Sequence, residues 1–171
     1  MDNTAAAVAK LKQACDSAYD ANKTSCSHAV MAVIHDVVDA SMAHRDANSL
    51  VDYWNSNWTE VEVDHGFYLA NLGYFVGGGK KESGHGHVIA IYPGDKIYPG
   101  GYQYNYNGKQ LTLKGNKLYP RAMSTSIGSW PGAMSKGDRT VWDPWANDAK
   151  FGEVRFWAEA NIWDKVKKPG S

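Results

Sequence analysis

The sequence predicts an α+β domain in which N-terminal helices pack on an antiparallel sheet. Three observations lead to this class. Apolar residues recur at helical spacing as far as about residue 58, and beyond it short apolar runs alternate with a period of two. Turn-forming pairs such as Asn107-Gly108 and Pro131-Gly132 separate those runs. With 171 residues, no internal repeat and no evident linker, the chain is expected to form one domain over 1–171.

Three helices are predicted in the first part of the chain. Their expected bounds are Ala5 to about Tyr19 after a cap at Asn3 or Thr4, then a cap at Thr24 or Ser25 with a helix to about Ala40, and finally about Asp46 to Trp58. Cys26 lies one helical turn before the apolar Val30. We therefore expect its thiol on the core-facing side of the second helix.

The rest of the chain is predicted to be mainly strands. After a short helical turn in "DHGFYLANLG", a glycine-rich segment reads as a hairpin with strands at Tyr74–Gly78 and Gly86–Tyr92. Further strands are expected at Gln110–Leu113, Leu118–Ser124 and Val154–Ala158. This order of helices first and strands second is what favours α+β over a parallel α/β sheet.

The balance of charge argues against a nucleic-acid partner. Eighteen basic residues cancel eighteen acidic ones, whereas phosphate binding usually requires a basic excess or stripe. The N-terminus lacks the basic start and apolar run of a signal peptide, and no run reaches the ~18 apolar residues of a membrane span. The expectation is a protein made in the cytoplasm, without membrane insertion and without a classical export signal.

Cys26 at the start of a helix is the first candidate for chemistry. Unpaired N–H groups at a helix N-terminus lower the pKa of a thiol and can hold the oxyanion that forms when a thiolate attacks a carbonyl. The second cysteine, Cys15, lies inside the first helix. Two buried free thiols that serve only as small apolar side chains remain the simpler alternative.

A histidine that begins an apolar strand is the matching candidate for a base. In "GHGHVIAIYPG" the period of two places His87, Ile89 and Ile91 on one face of the strand. A helix packed on a sheet brings its first turn near one end of a strand, so Cys26 and His87 could meet. His85 has the same parity as His87 but lies between two glycines, nearer the turn, so His87 is preferred.

In these two segments, "NKTSCSHAVMAVIHDV" and "GHGHVIAIYPG", the chain resembles papain-like cell-wall amidases of the NlpC type. The likeness is closer to the small amidase effectors delivered by bacterial type VI secretion systems. It extends in order and length over most of the chain, through the segments "DANSLVDYW", "LYPRAMSTSIGS" and "VWDPWANDAKFGEVRFWAE". The resemblance implies a papain-like NlpC-type cysteine peptidase fold.

The resemblance also implies an activity and a set of roles. Cys26 would be the nucleophile and His87 the general base, with no cofactor and no metal. The substrate would be an amide of the peptidoglycan stem peptide, the γ-D-glutamyl–diaminopimelate bond. Such effectors leave the producer through the type VI apparatus, act in the periplasm of a target cell, and require a cognate immunity protein in the producer.

The chain departs from the family pattern around the nucleophile. Ser25 and His28 stand where related amidases often have Asp or Asn and Gly, so these two, with His85, are the expected substrate-binding residues. Ser124 is the first choice for the third polar residue that orients the base. Asp95 and Asn105 are the other candidates for that role.

Three alternatives remain open from the sequence. A zinc site could use His85 and His87 with His65 and Asp64, although their spacing matches no familiar zinc site. A non-catalytic wall-binding module could use a set of aromatic residues, Tyr98, Tyr102, Tyr104, Tyr106 and Trp130. A cysteine protease or acyltransferase acting on protein substrates would use the same Cys–His pair, because neither fold nor pair fixes the acyl donor.

Overall fold

The computed structural model describes residues 3–170, apart from the side chains of residues 104, 106 and 114. The fold is α+β, as the sequence predicts, with a six-stranded antiparallel sheet and a separate two-stranded hairpin. The helices in this range are α1 (Thr4–Ala21), α2 (Cys26–Val37), α3 (Ala47–Asn57), α4 (Val63–Ala70), α5 (Asp148–Phe151) and α6 (Ile162–Lys165). The strands are β1 (Thr59–Val61), β2 (Gly77–Lys80), β3 (His87–Ile97), β4 (Gly100–Tyr106), β5 (Lys109–Lys114), β6 (Tyr119–Ser124), β7 (Ser135–Thr140) and β8 (Arg155–Ala158). No helix among the described residues has the length and hydropathy needed to cross a bilayer.

The caps of the first three helices explain where they begin. Asn3 stands at the N-cap of α1 without a side-chain bond, whereas the side chain of Ser25 caps α2 by accepting a hydrogen bond from the N–H of His28. Asp46 caps α3 in the same way. Of the apolar face expected in α1, Leu11, Ala14, Cys15 and Ala18 are buried, whereas Val8 is only partly buried. Helix α2 ends at Val37 rather than at Ala40.

The large sheet has the order β1-β8-β2-β3-β6-β7, and each neighbouring pair is antiparallel. The predicted glycine-rich hairpin exists as β2 and β3, although its first strand is Gly77–Lys80 rather than Tyr74–Gly78 and its second extends to Ile97. In this hairpin Lys80 lies opposite His87. On its other side β3 pairs with β6, with Ala90 opposite Met123. The first residue of β3 and the last residue of β6 therefore lie at the same end of the sheet.

The two faces of the sheet are covered by different helices. On one face Tyr92 Oη donates a hydrogen bond to Asp16 of α1, and the ring of Trp54 in α3 lies directly on Gly77. Helix α2 packs against α1, α3 and β3. On the opposite face, Ile91 lies against Gly66 of α4.

Strand β2 consists almost entirely of glycine because aromatic rings approach its backbone from both faces. A Cβ atom added at Gly77 would overlap the Trp54 ring, and one added at Gly78 would lie 2.5 Å from the Phe156 ring. Since neighbouring residues of a strand point to opposite faces, the two rings press on β2 from opposite sides. Only glycine leaves room for both.

Two strands of the large sheet, β1 and β7, are absent from the sequence-based prediction. Strand β7 contains Gly137-Asp138, a pair whose composition is typical of a turn. In the structure Gly137 has φ +83° and lies in an edge strand, beside a register shift between Ala122 and Met123 of the neighbouring β6. An irregular edge strand can contain a glycine of the kind that is typical of turns. The composition of this segment therefore does not indicate a strand.

The β4–β5 hairpin is attached to the body through the buried carboxylate of Asp143. One carboxylate oxygen accepts hydrogen bonds from the N–H of Gly100 at 2.8 Å and from Tyr102 Oη at 3.0 Å. The other accepts from the N–H and the hydroxyl of Thr140 at 2.8 and 2.9 Å. Asp143 is completely buried, so these four donors replace the water that its charge would otherwise require.

Candidate functional site

Cys26 is the first residue of α2 and is partly buried at the point where this helix meets β3. Interactions with the backbone of Val88, Ser27 and Cys26 itself lower the pKa of its thiol. Val88 directly follows His87, the first residue of β3. The thiol thus lies near the end of β3 that begins with the predicted base, His87.

The thiol is less acidic than its position at a helix start suggests. Burial raises the pKa of Cys26 above its ordinary value, and the three backbone interactions lower it by less than burial raises it. The expectation of a lowered thiol pKa is therefore wrong. Removal of water from around the sulfur raises the thiol pKa by more than the backbone groups at the start of the helix lower it.

His87 forms a buried hydrogen bond with Ser124. Its Nε2 atom lies 3.0 Å from Ser124 Oγ, and both residues are almost fully buried. The pair is diagonal across two strands, since the β3–β6 register continues from Ala90 opposite Met123 to Ile89 opposite Ser124. Of the three candidates for the orienting residue, Ser124 is the one that contacts His87. Asp95 and Asn105 lie elsewhere, in the far part of β3 and in the separate hairpin.

Two tryptophan rings exclude water from the imidazole of His87. The Trp145 ring stands edge-on to it at 5.4 Å between ring centroids, and the Trp130 ring is tilted at 5.7 Å. His87 is 8% exposed. This burial lowers the pKa of His87 to about 4, so the imidazole is neutral near pH 7.

The contacts of the two residues do not include a direct bond between them. Among the hydrogen bonds of residues 3–170, none joins the sulfur of Cys26 to the ring of His87. Ser124 occupies Nε2, and no protein group in this range bonds Nδ1. When Nε2–H donates to Ser124, Nδ1 carries a free lone pair, which is the form that a base requires.

The predicted substrate-binding residues Ser25 and His28 lie together at the start of α2. Ser25 Oγ is 2.7 Å from His28 Nδ1 in addition to capping the helix. The exposed His28 ring stacks on His44 at 4.1 Å between centroids. His44 is absent from the sequence-based list because the chain between the two helices gives no sign of which residue it places beside His28.

His85 is exposed and lies in the turn that leads into β3. The turn is held by Asn48 of α3, whose side chain donates to the carbonyl of Glu82 at 2.8 Å and accepts from its N–H at 3.2 Å. Gly86 packs against the same Asn48 side chain. His85 therefore lies outside the buried hydrogen bond that distinguishes His87.

The side chains proposed for a zinc site are dispersed. His87 is bound to Ser124, His65 packs edge-on against Trp163, and Asp64 pairs with Lys96 at 2.7 Å. Within the described part of the chain, no group of three or more His, Cys, Asp or Glu side chains is arranged to hold a metal ion. The residues named for that alternative do not form one site.

The aromatic set named for a wall-binding module is also divided. Tyr98 is exposed, whereas the hydroxyl of Tyr102 is bound to Asp143. The side chains of Tyr104 and Tyr106 lie outside the described residues. Trp130 lies beside His87 instead of joining these tyrosines.

The site thus has a partly buried thiol at the start of α2, a helix that packs on β3, and a buried imidazole at the start of β3 with one ring nitrogen bound to Ser124. The backbone of Val88 and the ring of Trp145 are the parts of the site that sequence reasoning misses.

No protein-family model and no curated protein matches the chain.

Proposed function

We propose that this protein is a papain-like cysteine amidase of the NlpC type that hydrolyses the peptide stem of peptidoglycan. The observation that carries the proposal is the buried His87–Ser124 hydrogen bond at the first residue of β3, next to Val88, whose backbone acts on the pKa of the Cys26 thiol. A histidine with one ring nitrogen held by a neighbouring side chain, near a thiol at a helix start, is what thiol-based acyl transfer requires.

In the proposed reaction, His87 Nδ1 removes the proton from the Cys26 thiol as the sulfur attacks the amide carbonyl carbon. The C–N bond then breaks, and the imidazolium returns its proton to the leaving amine. Water, deprotonated by the same imidazole, attacks the resulting thioester and releases the carboxylic acid and the thiol. Backbone N–H groups at the sulfur are the candidates for holding the oxyanion in both steps.

The charge states of the two residues determine how this reaction starts. Burial raises the thiol pKa and lowers the imidazole pKa, so the resting pair is neutral. Proton transfer therefore accompanies the attack instead of preceding it. Ser124 acts as a positioning residue that holds Nε2–H and directs Nδ1 toward the thiol, and the side chains complete this approach when substrate is bound.

The biological setting belongs to the same proposal. The enzyme acts on the stem peptide, at the γ-D-glutamyl–diaminopimelate bond, in the periplasm of a target cell after delivery by a type VI secretion system. A cognate immunity protein protects the producer. Expression directed to the periplasm of a sensitive host should cause lysis, whereas cytoplasmic expression and periplasmic Cys26→Ala should not.

The decisive experiment is a digest of purified Gram-negative sacculi, with fragments identified by chromatography and mass spectrometry. Wild type should release products split between D-Glu and diaminopimelate, and Cys26→Ala and His87→Ala should release none while remaining folded. Cys15→Ser is the matched control. Because Cys15 is fully buried in α1, away from the site, this replacement should leave cleavage unchanged. Intact sacculi after treatment with folded wild type would refute the peptidoglycan substrate and favour a protein substrate for the same residues.

A further inference from the structure

We infer that Trp130 is the specificity-determining residue for the leaving-group side of the substrate, where its indole packs on the methylene stem of the departing amino acid's side chain. The inference rests on the proposed function. It concerns a residue whose exposed surface adjoins the base. Trp130 is 40% exposed, although its ring lies 5.7 Å from the His87 ring.

The Trp130 ring is fixed from several sides despite this exposure. Its Nε1–H donates to the carbonyl of Pro144 at 3.0 Å, and its own carbonyl accepts from the N–H of Ala133 at 2.9 Å. Gly128 lies against the ring so closely that an added Cβ would come within 3.0 Å of it. A preformed aromatic surface loses little conformational entropy when a ligand covers it.

The position of Trp130 relative to His87 selects the part of the substrate that it contacts. His87 returns a proton to the leaving nitrogen, so the two lie within hydrogen-bonding distance of about 3 Å in the reactive complex. An extended chain advances roughly 3.3–3.6 Å per residue, so a ring beside the imidazole can reach only the residue that carries this nitrogen or its immediate neighbour. The glycan is attached through earlier residues on the acyl side and is therefore not the expected contact.

The same loop contributes a second apolar side chain. Ile127 is 85% exposed, the highest value among the large hydrophobic residues that the structure shows at the surface. It precedes Trp130 by three residues in the segment that follows Ser124. The methylene stem of a diamino acid can pack on this apolar surface while its charged end extends into water.

The test compares two peptides that share the acyl portion L-alanyl-γ-D-glutamyl and differ in the leaving residue, diaminopimelate or glycine. For Trp130→Ala we expect kcat/KM to fall on both peptides, because the ring also shields His87, and to fall about tenfold further on the diaminopimelate peptide than on the glycine peptide. Trp130→Phe should recover most of the loss. Leu118→Ser, at the opposite end of β6 from Ser124, is the control for loss of an exposed apolar side chain and should leave both rates unchanged.

Equal losses on both peptides would overturn the inference, because they would mean that Trp130 only buries and orients His87. A binding measurement separates this inference from the proposed hydrolysis. In Cys26→Ala, titration with the diaminopimelate peptide should shift the indole N–H resonance of Trp130 more than the glycine peptide does. If wild type cleaves neither peptide but this difference is present, the hydrolytic proposal fails and the binding assignment stands; if the resonance responds to neither peptide, the binding assignment fails.

Discussion

Replacement of His87 by glutamine should remove a large part of the protein's loss of stability in acid. The imidazole has its pKa lowered from 6.5 to about 4 by burial, with no compensating charge. Between these two pH values the unfolded chain binds a proton that the folded chain excludes. The free energy of unfolding therefore decreases as the pH falls from 6.5 toward 4.

The size of this effect follows from the shift itself. One pKa unit corresponds to about 1.36 kcal/mol, so His87 should account for about 3 kcal/mol of lost stability across the interval. The contribution is complete above about pH 6.5 and does not change further below about pH 4. Because the side chain is 8% exposed, solvent screening reduces the value little.

Urea unfolding followed by tryptophan fluorescence, at about pH 7 and about pH 4, measures this difference. Carboxylates titrate in wild type and variant alike, so their contribution cancels when the two are compared. Wild type should lose about 3 kcal/mol more than His87→Gln. His85→Gln, at an exposed position two residues away, should behave as wild type. Parallel losses in wild type and His87→Gln would refute the reasoning, because the imidazole would then be as accessible to protons as in the unfolded chain.

Three further outcomes are expected. Ser124→Ala removes the partner of a buried ring nitrogen, so kcat/KM on stem peptides should fall about tenfold to a hundredfold; unchanged kinetics would exclude a positioning role. In the native protein iodoacetamide should modify the partly exposed Cys26 well before the fully buried Cys15, as peptide mapping would show, and equal rates would contradict the burial described above. Asp143→Ala should lower the free energy of unfolding by about 2–4 kcal/mol and accelerate hydrogen exchange at the N–H of Gly100, because four donors lose their acceptor; exchange as slow as in wild type would show that the hairpin is held by other contacts.

The sequence predicts the helical layer well because its signals are local. The period of apolar residues and the capping side chains of Ser25 and Asp46 both act within one helix, so the start of each helix can be read directly. The strand that begins at His87 is similarly evident from its apolar run. Ser124 as the partner of this histidine follows only from the resemblance and from its place on a later strand. Their contact depends on a register that a single sequence does not contain.

The features that escape prediction depend on distant parts of the chain. The stacking of His28 on His44 and the contact of Cys26 with the backbone of Val88 join separate elements, and nothing in either local segment indicates them. The direction of the thiol pKa is the clearest case. A helix start is visible in the sequence, whereas the amount of water excluded from the sulfur is a property of the assembled fold.

The glycine strand β2 has a consequence for how mutational tolerance in this protein should be read. Gly77 and Gly78 are closed in by the rings of Trp54 and Phe156, so a saturation scan scored by activity would reject almost every substitution there. Such a profile is commonly taken as the mark of an active centre, yet these glycines carry no reactive group. A scan scored by abundance would separate the two causes. Substitutions in β2 would deplete the folded protein itself, whereas those at Cys26 would leave it present and inactive.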